Sequence, residues 1–263
     1  MDSATAHTGY GNQASVILPI LVERGWDVYQ IACNCWGLEN QIKESEDGYY
    51  YYKGVKLIKN PDLGKSKEGG IYPSKETVKK IFEEIKPDVV FSLNDFYRVA
   101  DYLNISEDFK NKWVHWLPVD NSHANKDWLQ FERQMKYLLF LSSFGYYQRV
   151  EDLDSVRYVD AIYHAVSSKD FYPLDKEKVK DAHGLKNKFV IITVGRHQPR
   201  KMIYHTANAV GRFLQKHNDA VWICKSDPKD RAMENSKEEE KDLEKIMRNC
   251  GVLDRVMFVP MAL

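Results

Sequence analysis

Apolar residues recur along this chain in two rhythms that alternate with one another. One is a helical spacing of three and four positions. Val78, Ile81, Phe82 and Ile85 make one such stripe behind Ser74, a good N-cap residue. Ile203, Ala207, Val210, Phe213 and Leu214 make another, in a helix expected to begin around Lys201. The second rhythm is a short, nearly unbroken apolar run, the mark of a strand buried on both faces. Such runs occupy 113–117, 137–141, 189–194, 220–225 and 255–259, and "KPDVVFSL" compresses a helix stop, a turn and a buried strand into one stretch. Near the start, a helix is expected over 12–24 with Gly25 as its stop, then a strand over 27–33. "GYYYYKGVKLIKN" reads as a hairpin turned at Lys53 and Gly54, and a further helix is expected over 127–135. Strands alternating with helices predict an α/β protein with parallel sheets covered on both faces.

The rhythm breaks at "HAVSSKDFYPLDKEKV", a polar connector carrying Pro173 and leading into a short helix that stops at Gly184. Two Rossmann-like parallel-sheet domains are therefore expected, one over residues 1–163 and one over 179–263, with a linker over 164–178. The second has only three expected strands and reads as incomplete. The segment Gly9–Tyr10–Gly11 reads as a loop with no strand ahead of it. Both ends of the chain thus look cut short.

Composition narrows the partners. Lys plus Arg and Asp plus Glu number 38 each among 263 residues, so the net charge is zero and a general nucleic-acid or membrane-surface binder is disfavoured. Any anion binding must be local. The four cysteines form no CxxC pair and offer no zinc site; free thiols in a reducing cytoplasm are expected, and no metal. No apolar stretch is long enough to span a bilayer, and no signal segment opens the chain.

One local concentration of charge stands out. Between the 189–194 strand and the helix after it sit Arg196, His197, Arg200 and Lys201. A helix start carries roughly +0.5 elementary charge, so cations normally avoid it. Two readings remain open. The cations point into water, where the penalty is about 0.3–1 kcal/mol, or an anion sits among them. For an anion, Gly195 allows close backbone approach, Arg196 supplies a bidentate fork and Lys201 a point charge.

The segment "VGRHQPRK" resembles the donor loop of the glycosyltransferase family 4 enzymes, which have the GT-B fold. Further stretches align in the family's order: "TGYGNQ" with its N-terminal glycine loop, "PDVVFSLND" with a strand, and "HWLPVDNS" with its Pro-Val-Asp segment. "LSSFGYYQ" is similar to its Ser-x-Phe-Gly turn and "YHAVSSKDFYPLD" to its interdomain linker. The resemblance implies transfer of a sugar from a UDP- or GDP-sugar to an acceptor, a glycan, lipid or other molecule, with retained anomeric configuration. It implies no cofactor and no metal, because Arg, Lys and helix N-termini neutralise the leaving diphosphate. By position, Arg196, Lys201 and Gly195 would hold the diphosphate, and Gly9 and Gly11 would let the first loop approach the donor.

Asp120 and Asn94 follow strands of the first domain and would face sugar or acceptor. Equally, Asp120 is a turn aspartate after Pro118, and Asn94 with Asp95 caps the next helix. His115 alternates with Trp113 and Leu117 and is expected in the core; His164 belongs to the linker. Three departures from the family stand out. Ala165 and Met202 replace usual glycines, and the paired glutamates of the family's second domain have no counterpart, since Glu238, Glu239, Glu240 and Glu244 precede the last expected strand. A second class of function stays open: a non-catalytic nucleotide-sugar or phosphate-binding or assembly module, with a partner chain over its sheet edges. A nicotinamide-dependent dehydrogenase fits only the alternation, because no GxGxxG follows a strand.

Overall fold

A computed structural model describes residues 1–6, 8–35, 42–65, 71–120, 122, 126–153, 158–230 and 242–259. The chain divides into two compact units, Met1–Phe171 and Tyr172–Leu263.

The first unit opens with α1 (Gly9–Glu23), which starts earlier than its apolar pattern predicts. Thr8 caps it, its hydroxyl accepting from the Gly11 amide at 3.0 Å. Gly9 and Gly11 therefore lie in the first helical turn and do not form a loop. Capping chemistry overrides the low helix propensity of glycine here. The helix stops at Gly25, whose φ of 88° is open to glycine at little cost. Then come β1 (Tyr29–Ala32), β2 (Tyr50–Tyr52) and β3 (Val55–Lys59). The expected hairpin is present, β2 pairing antiparallel with β3 across a turn in which Lys53 and Gly54 both have positive φ. These strands form a sheet of order β1-β3-β2, with β1 and β3 parallel.

Next along the chain are α2 (Lys75–Ile85), β4 (Val90–Leu93), α3 (Glu107–Lys112), β5 (Trp113–Leu117), α4 (Lys126–Glu132), β6 (Tyr137–Phe140), α5 (Ser143–Arg149) and β7 (Tyr158–Ala161). Ser74, Ser106 and Ser142 cap α2, α3 and α5, each accepting from an amide three residues on. Strands β4-β5-β6-β7 make an all-parallel sheet in that order. Its core is aromatic: Trp113, Phe109, Phe96 and Phe140 are almost fully buried. Full burial of each such side chain contributes about 1.5–3 kcal/mol.

The second unit holds α6 (Lys176–Ala182), β8 (Phe189–Val194), α7 (Ile203–Lys216), β9 (Ala220–Lys225), α8 (Leu243–Asn249) and β10 (Val256–Val259). The strands are parallel in the order β10-β9-β8. Alternate residues of β9, namely Ala220, Trp222 and Cys224, are buried under Ile203, Ala207 and Leu214 of α7 and Leu243 and Met247 of α8. Both helices belong to that one core, so among the described residues the two-sided cover that was predicted is not seen on the opposite face. There Ile192 and Val194 are more than 60% exposed and Met257 about half exposed. Glu238, Glu239 and Glu240 lie outside the described residues.

Candidate donor and sugar sites

In the second unit, the turn after β8 is built to deliver a helix at the carboxyl end of a parallel strand, the usual ligand position in α/β sheets. The Gly195 amide prolongs the sheet by donating to the Lys225 carbonyl at 3.2 Å, so its N–H is committed to β9. A Cβ on Gly195 would make only ordinary contact with Ile203. His197 is fully buried. A short 3₁₀ turn follows over Pro199–Lys201, and α7 begins two residues later than the pattern around Lys201 suggests. The junction is Met202, with φ 51° and ψ 32°, a left-handed conformation that glycine adopts more cheaply. Methionine thus holds a left-handed conformation at the position where a glycine was expected from the resemblance.

The N-terminus of α7 has no side-chain cap and no acidic residue in its first turn. Arg200 and Lys201 precede it, exposed, and among the described residues neither has an ion-pair partner. Arg196 differs. Its Nε donates to Asp230 Oδ2 at 2.8 Å and its Nη2 to Oδ1 at 3.1 Å, a bidentate pair. The hydrogen bonds it donates to Asp230 hold the guanidinium pKa above its ordinary value. Asp230 is 12% exposed, whereas Arg196 is 57% exposed. One of the three permanent cations is thereby neutralised, and the fork that was expected to stand open for phosphate is closed on a carboxylate. Sequence reasoning missed Asp230, since "SDPKD" has no local pattern tying it to a residue 34 positions earlier.

In the first unit, a polar cluster gathers at the carboxyl ends of β1 and β4. Asp2 is buried, and Thr8 and Tyr72 donate their hydroxyls to its carboxylate, Tyr72 at 3.0 Å. The Thr8 hydroxyl thus relays between Asp2 and the first turn of α1. The Gln30 side chain holds the same segment, accepting from the Ala4 amide at 2.9 Å and donating to the Asp2 carbonyl at 2.8 Å. Gly11 fits under this segment only without a side chain, because a Cβ would lie 2.1 Å from the Ala6 carbonyl oxygen. Nothing lies within 4 Å of a Cβ built at Gly9.

Asn94 is fully buried at the end of β4, and its Oδ1 accepts from the Asp95 amide at 2.9 Å. Neither Asn94 nor Asp95 caps the following 3₁₀ turn through its side chain. Asp95 instead accepts from the Tyr10 hydroxyl at 3.2 Å. Burial, then the neighbouring carboxylates, push the phenols of Tyr10 and Tyr72 well above the usual tyrosine range, so both remain donors. Asp120 is exposed beyond β5, and no hydrogen bond joins it to this cluster. Asp2 and Tyr72 were not foreseen, although Thr8 ahead of a helical pattern was a legible capping signal.

His115 lies in the core as expected. Trp113 Nε1 donates to the Ser92 hydroxyl at 2.7 Å, and that hydroxyl shares a hydrogen bond with His115 Nδ1, also at 2.7 Å. Burial pushes the ring's pKa down to about 3 and so keeps it neutral. His164, exposed, stands edge-on to Trp116 with ring centroids 4.9 Å apart, and burial lowers its pKa. Among the described residues, no helix is long and apolar enough to cross a membrane.

These features define an α/β protein with the GT-B fold, built from Rossmann-like units. Comparison with solved structures supports that class. The chain is similar to a UDP-forming α,α-trehalose-phosphate synthase from Burkholderia xenovorans, with a TM-score of 0.59 and 11% identity over 96% of this chain and 71% of that one. It is similar to an E. coli trehalose-6-phosphate structure bound with UDP-2-fluoroglucose, with a TM-score of 0.57 and 13% identity over 100% and 73%. It also resembles Anabaena HepE in complex with UDP, with a TM-score of 0.53 and 15% identity, covering 79% of this chain and 56% of HepE. The chain thus spans little more than half the length of HepE. No protein-family description and no curated protein matches the sequence.

Proposed function

We propose that the chain is part of a retaining glycosyltransferase of the family 4 type, using a nucleoside-diphosphate sugar as donor. The observation that carries this reading is the uncapped start of α7, flanked by Arg200 and Lys201, at the carboxyl end of β8. Free N–H groups and a helix dipole at that point favour an anion, and a pyrophosphate brings enough charge to offset the cations crowded there. Lys201 supplies a point charge. Arg196 exchanges its Asp230 partner for phosphate oxygens when the nucleotide arrives. Gly195 serves by giving room for the turn, its amide being held by β9. Neutralisation of the leaving diphosphate by these groups is the chemistry that drives sugar transfer, with no metal or cofactor required.

In the first unit, Asn94 brings a side-chain amide at the end of β4 and Asp120 an exposed carboxylate, which suit hydroxyl groups of a sugar or acceptor. Gly9 leaves open space at the start of α1, and Gly11 seats that helix on the Asp2–Ala6 segment. The known fold partners bind UDP or a UDP-sugar, so UDP is the first probe. Titration calorimetry with UDP should give a Lys201→Ala loss of about 1.5–3 kcal/mol, the range for a charge-assisted contact. Unchanged UDP affinity in that variant removes the donor assignment. The open apolar face at Ile192, Val194 and Met257 favours a second reading, an assembly module with a partner chain over the second sheet. An obligate hetero-complex without sugar-nucleotide turnover would select it.

A further inference from the structure

At the carboxyl end of β4 the chain makes a single 3₁₀ turn, Phe96–Arg98. Phe96 enters the core, tilted against His115 and against Phe131 of α4, with ring centroids 5.4 and 6.4 Å away. Its burial leaves its two neighbours on the surface, Tyr97 55% exposed and the Arg98 side chain 39%. Both are nonetheless held. Tyr97 stacks with Trp128 of α4, the centroids 6.1 Å apart and the planes 26° apart. The Arg98 guanidinium carbon lies 5.0 Å from the centre of the Tyr97 ring and 5.2 Å from that of Tyr72, a double cation–π contact. Tyr72 is fixed in turn, its hydroxyl donating to Asp2.

Arg98 is thus a positioned cation whose hydrogen-bonding capacity is unspent. Among the described residues its one ion pair joins Nε to Asp95 Oδ2 at 4.0 Å, too long for a hydrogen bond. Asp95 is drawn elsewhere, its Oδ1 accepting from the Tyr10 hydroxyl. Among the described residues the Arg98 guanidinium donates no hydrogen bond, the reverse of Arg196, whose fork is closed on Asp230. A solvated arginine must give up rotamer freedom to grip an anion, and one in contact with two rings has given up much of it beforehand.

We propose that Arg98 anchors the phosphate of a phosphorylated sugar, so that the acceptor taken by the first unit is a sugar phosphomonoester. The inference rests on the reading that this unit holds the acceptor, and it adds the acceptor's charge. The position is the carboxyl end of a parallel strand, where α/β sheets place their ligands. A phosphomonoester carries about −1.5 to −2 charges at pH 7 and presents three acceptor oxygens, so it outcompetes the single charge of Asp95. A carboxylate would only exchange one monoanion for another. The planar fork meets phosphate oxygens bidentately. Beside it, the exposed part of Tyr97, braced by Trp128, gives ring surface on which the C–H face of a sugar packs.

The test is calorimetric titration of the full chain with glucose 6-phosphate, fructose 6-phosphate and ribose 5-phosphate, each beside its unphosphorylated sugar. Glucuronate serves as the carboxylate and inorganic phosphate as the bare anion. At least one ester should bind, and about tenfold or more tighter than its sugar, than glucuronate and than inorganic phosphate. Arg98→Gln should lose that ester by about tenfold or more, and Arg98→Lys, which keeps the charge without the fork, should fall between. Tyr97→Leu should weaken the ester severalfold with the arginine intact; should Arg98→Gln fail to fold, Arg98→Lys and Tyr97→Leu decide. No ester binding, equal binding of sugar, glucuronate or bare phosphate, or unchanged ester affinity in the variants overturns the proposal. UDP titrated into the same proteins separates this inference from the donor reading. Its affinity should be unchanged in Arg98→Gln, and its loss together with the ester would reassign Arg98 to the donor and overturn the proposal. A chain that binds UDP but no ester loses only this inference, and one that binds an ester but no UDP loses only the donor assignment.

Discussion

The pair Arg196–Asp230 makes the donor reading sharp, because it forces a sign. If the arginine fork must leave Asp230 to reach a diphosphate, the carboxylate is a competitor, and removing its charge should tighten UDP binding. Asp230→Asn keeps the shape and one acceptor oxygen but drops the charge. Arg196 is 57% exposed, so solvent screening limits the pair to the modest range of surface ion pairs, about 0.2–1 kcal/mol, despite its bidentate geometry. Release of that energy on substitution predicts UDP affinity tighter by about 1.4- to fivefold. Arg196→Ala should instead weaken binding by about 1.5–3 kcal/mol, roughly ten- to more than a hundredfold, since the charge-assisted bonds to phosphate are lost. The double variant should match Arg196→Ala alone, because without the arginine the aspartate has nothing to withhold. Titration calorimetry with UDP across the four proteins, at two salt concentrations, reads all of this. Weaker binding in Asp230→Asn, comparable with Arg196→Ala, would refute competition and make Asp230 a positioning residue. Equal affinity in all four would remove Arg196 from the donor site.

Two further outcomes follow from buried geometry. His115 stays neutral in the folded core down to about pH 3 but takes a proton near pH 6.5 once unfolded, so stability is present above pH 6.5 and drains away as pH falls toward 3. At pH 4.5 this amounts to two pH units, about 3 kcal/mol; urea denaturation followed by tryptophan fluorescence should show His115→Gln losing less between pH 7 and 4.5 by that amount, and equal losses would disprove it. At the α7 junction, Met202 has positive φ and is half exposed, so Met202→Gly should raise urea stability by about 0.5–1 kcal/mol, whereas a loss would show that its side chain contributes more than the backbone strain costs.

Much of the architecture was legible because it depends on local repetition. Trp113–Leu117, Phe189–Val194 and Ala220–Lys225 are strands over the spans their apolar runs predict. Ser74 and Gly25 act at the helix ends where capping chemistry puts them. The start of α1 was misjudged from Gly9 and Gly11, since low propensity hid a threonine cap that only acquires its strength from the buried Asp2 beside it. At the turn after β8, sequence spacing brought Gly195, Arg196 and Lys201 to one strand–helix junction. It did not reveal that the Gly195 amide is spent on Lys225 or the Arg196 fork on Asp230.

By itself, then, the sequence determined the α/β alternation, the caps, the core position of His115 and the cluster of cations ahead of a helix. Each is a matter of neighbours within a few residues, where period and propensity act directly. Tertiary structure alone decided which cation is neutralised, which is held against two tyrosine rings, and that Asp2, Thr8, Tyr72 and Gln30 meet. Those outcomes depend on groups tens of residues apart arriving at hydrogen-bond distance, and a one-dimensional pattern carries no record of separations across a fold.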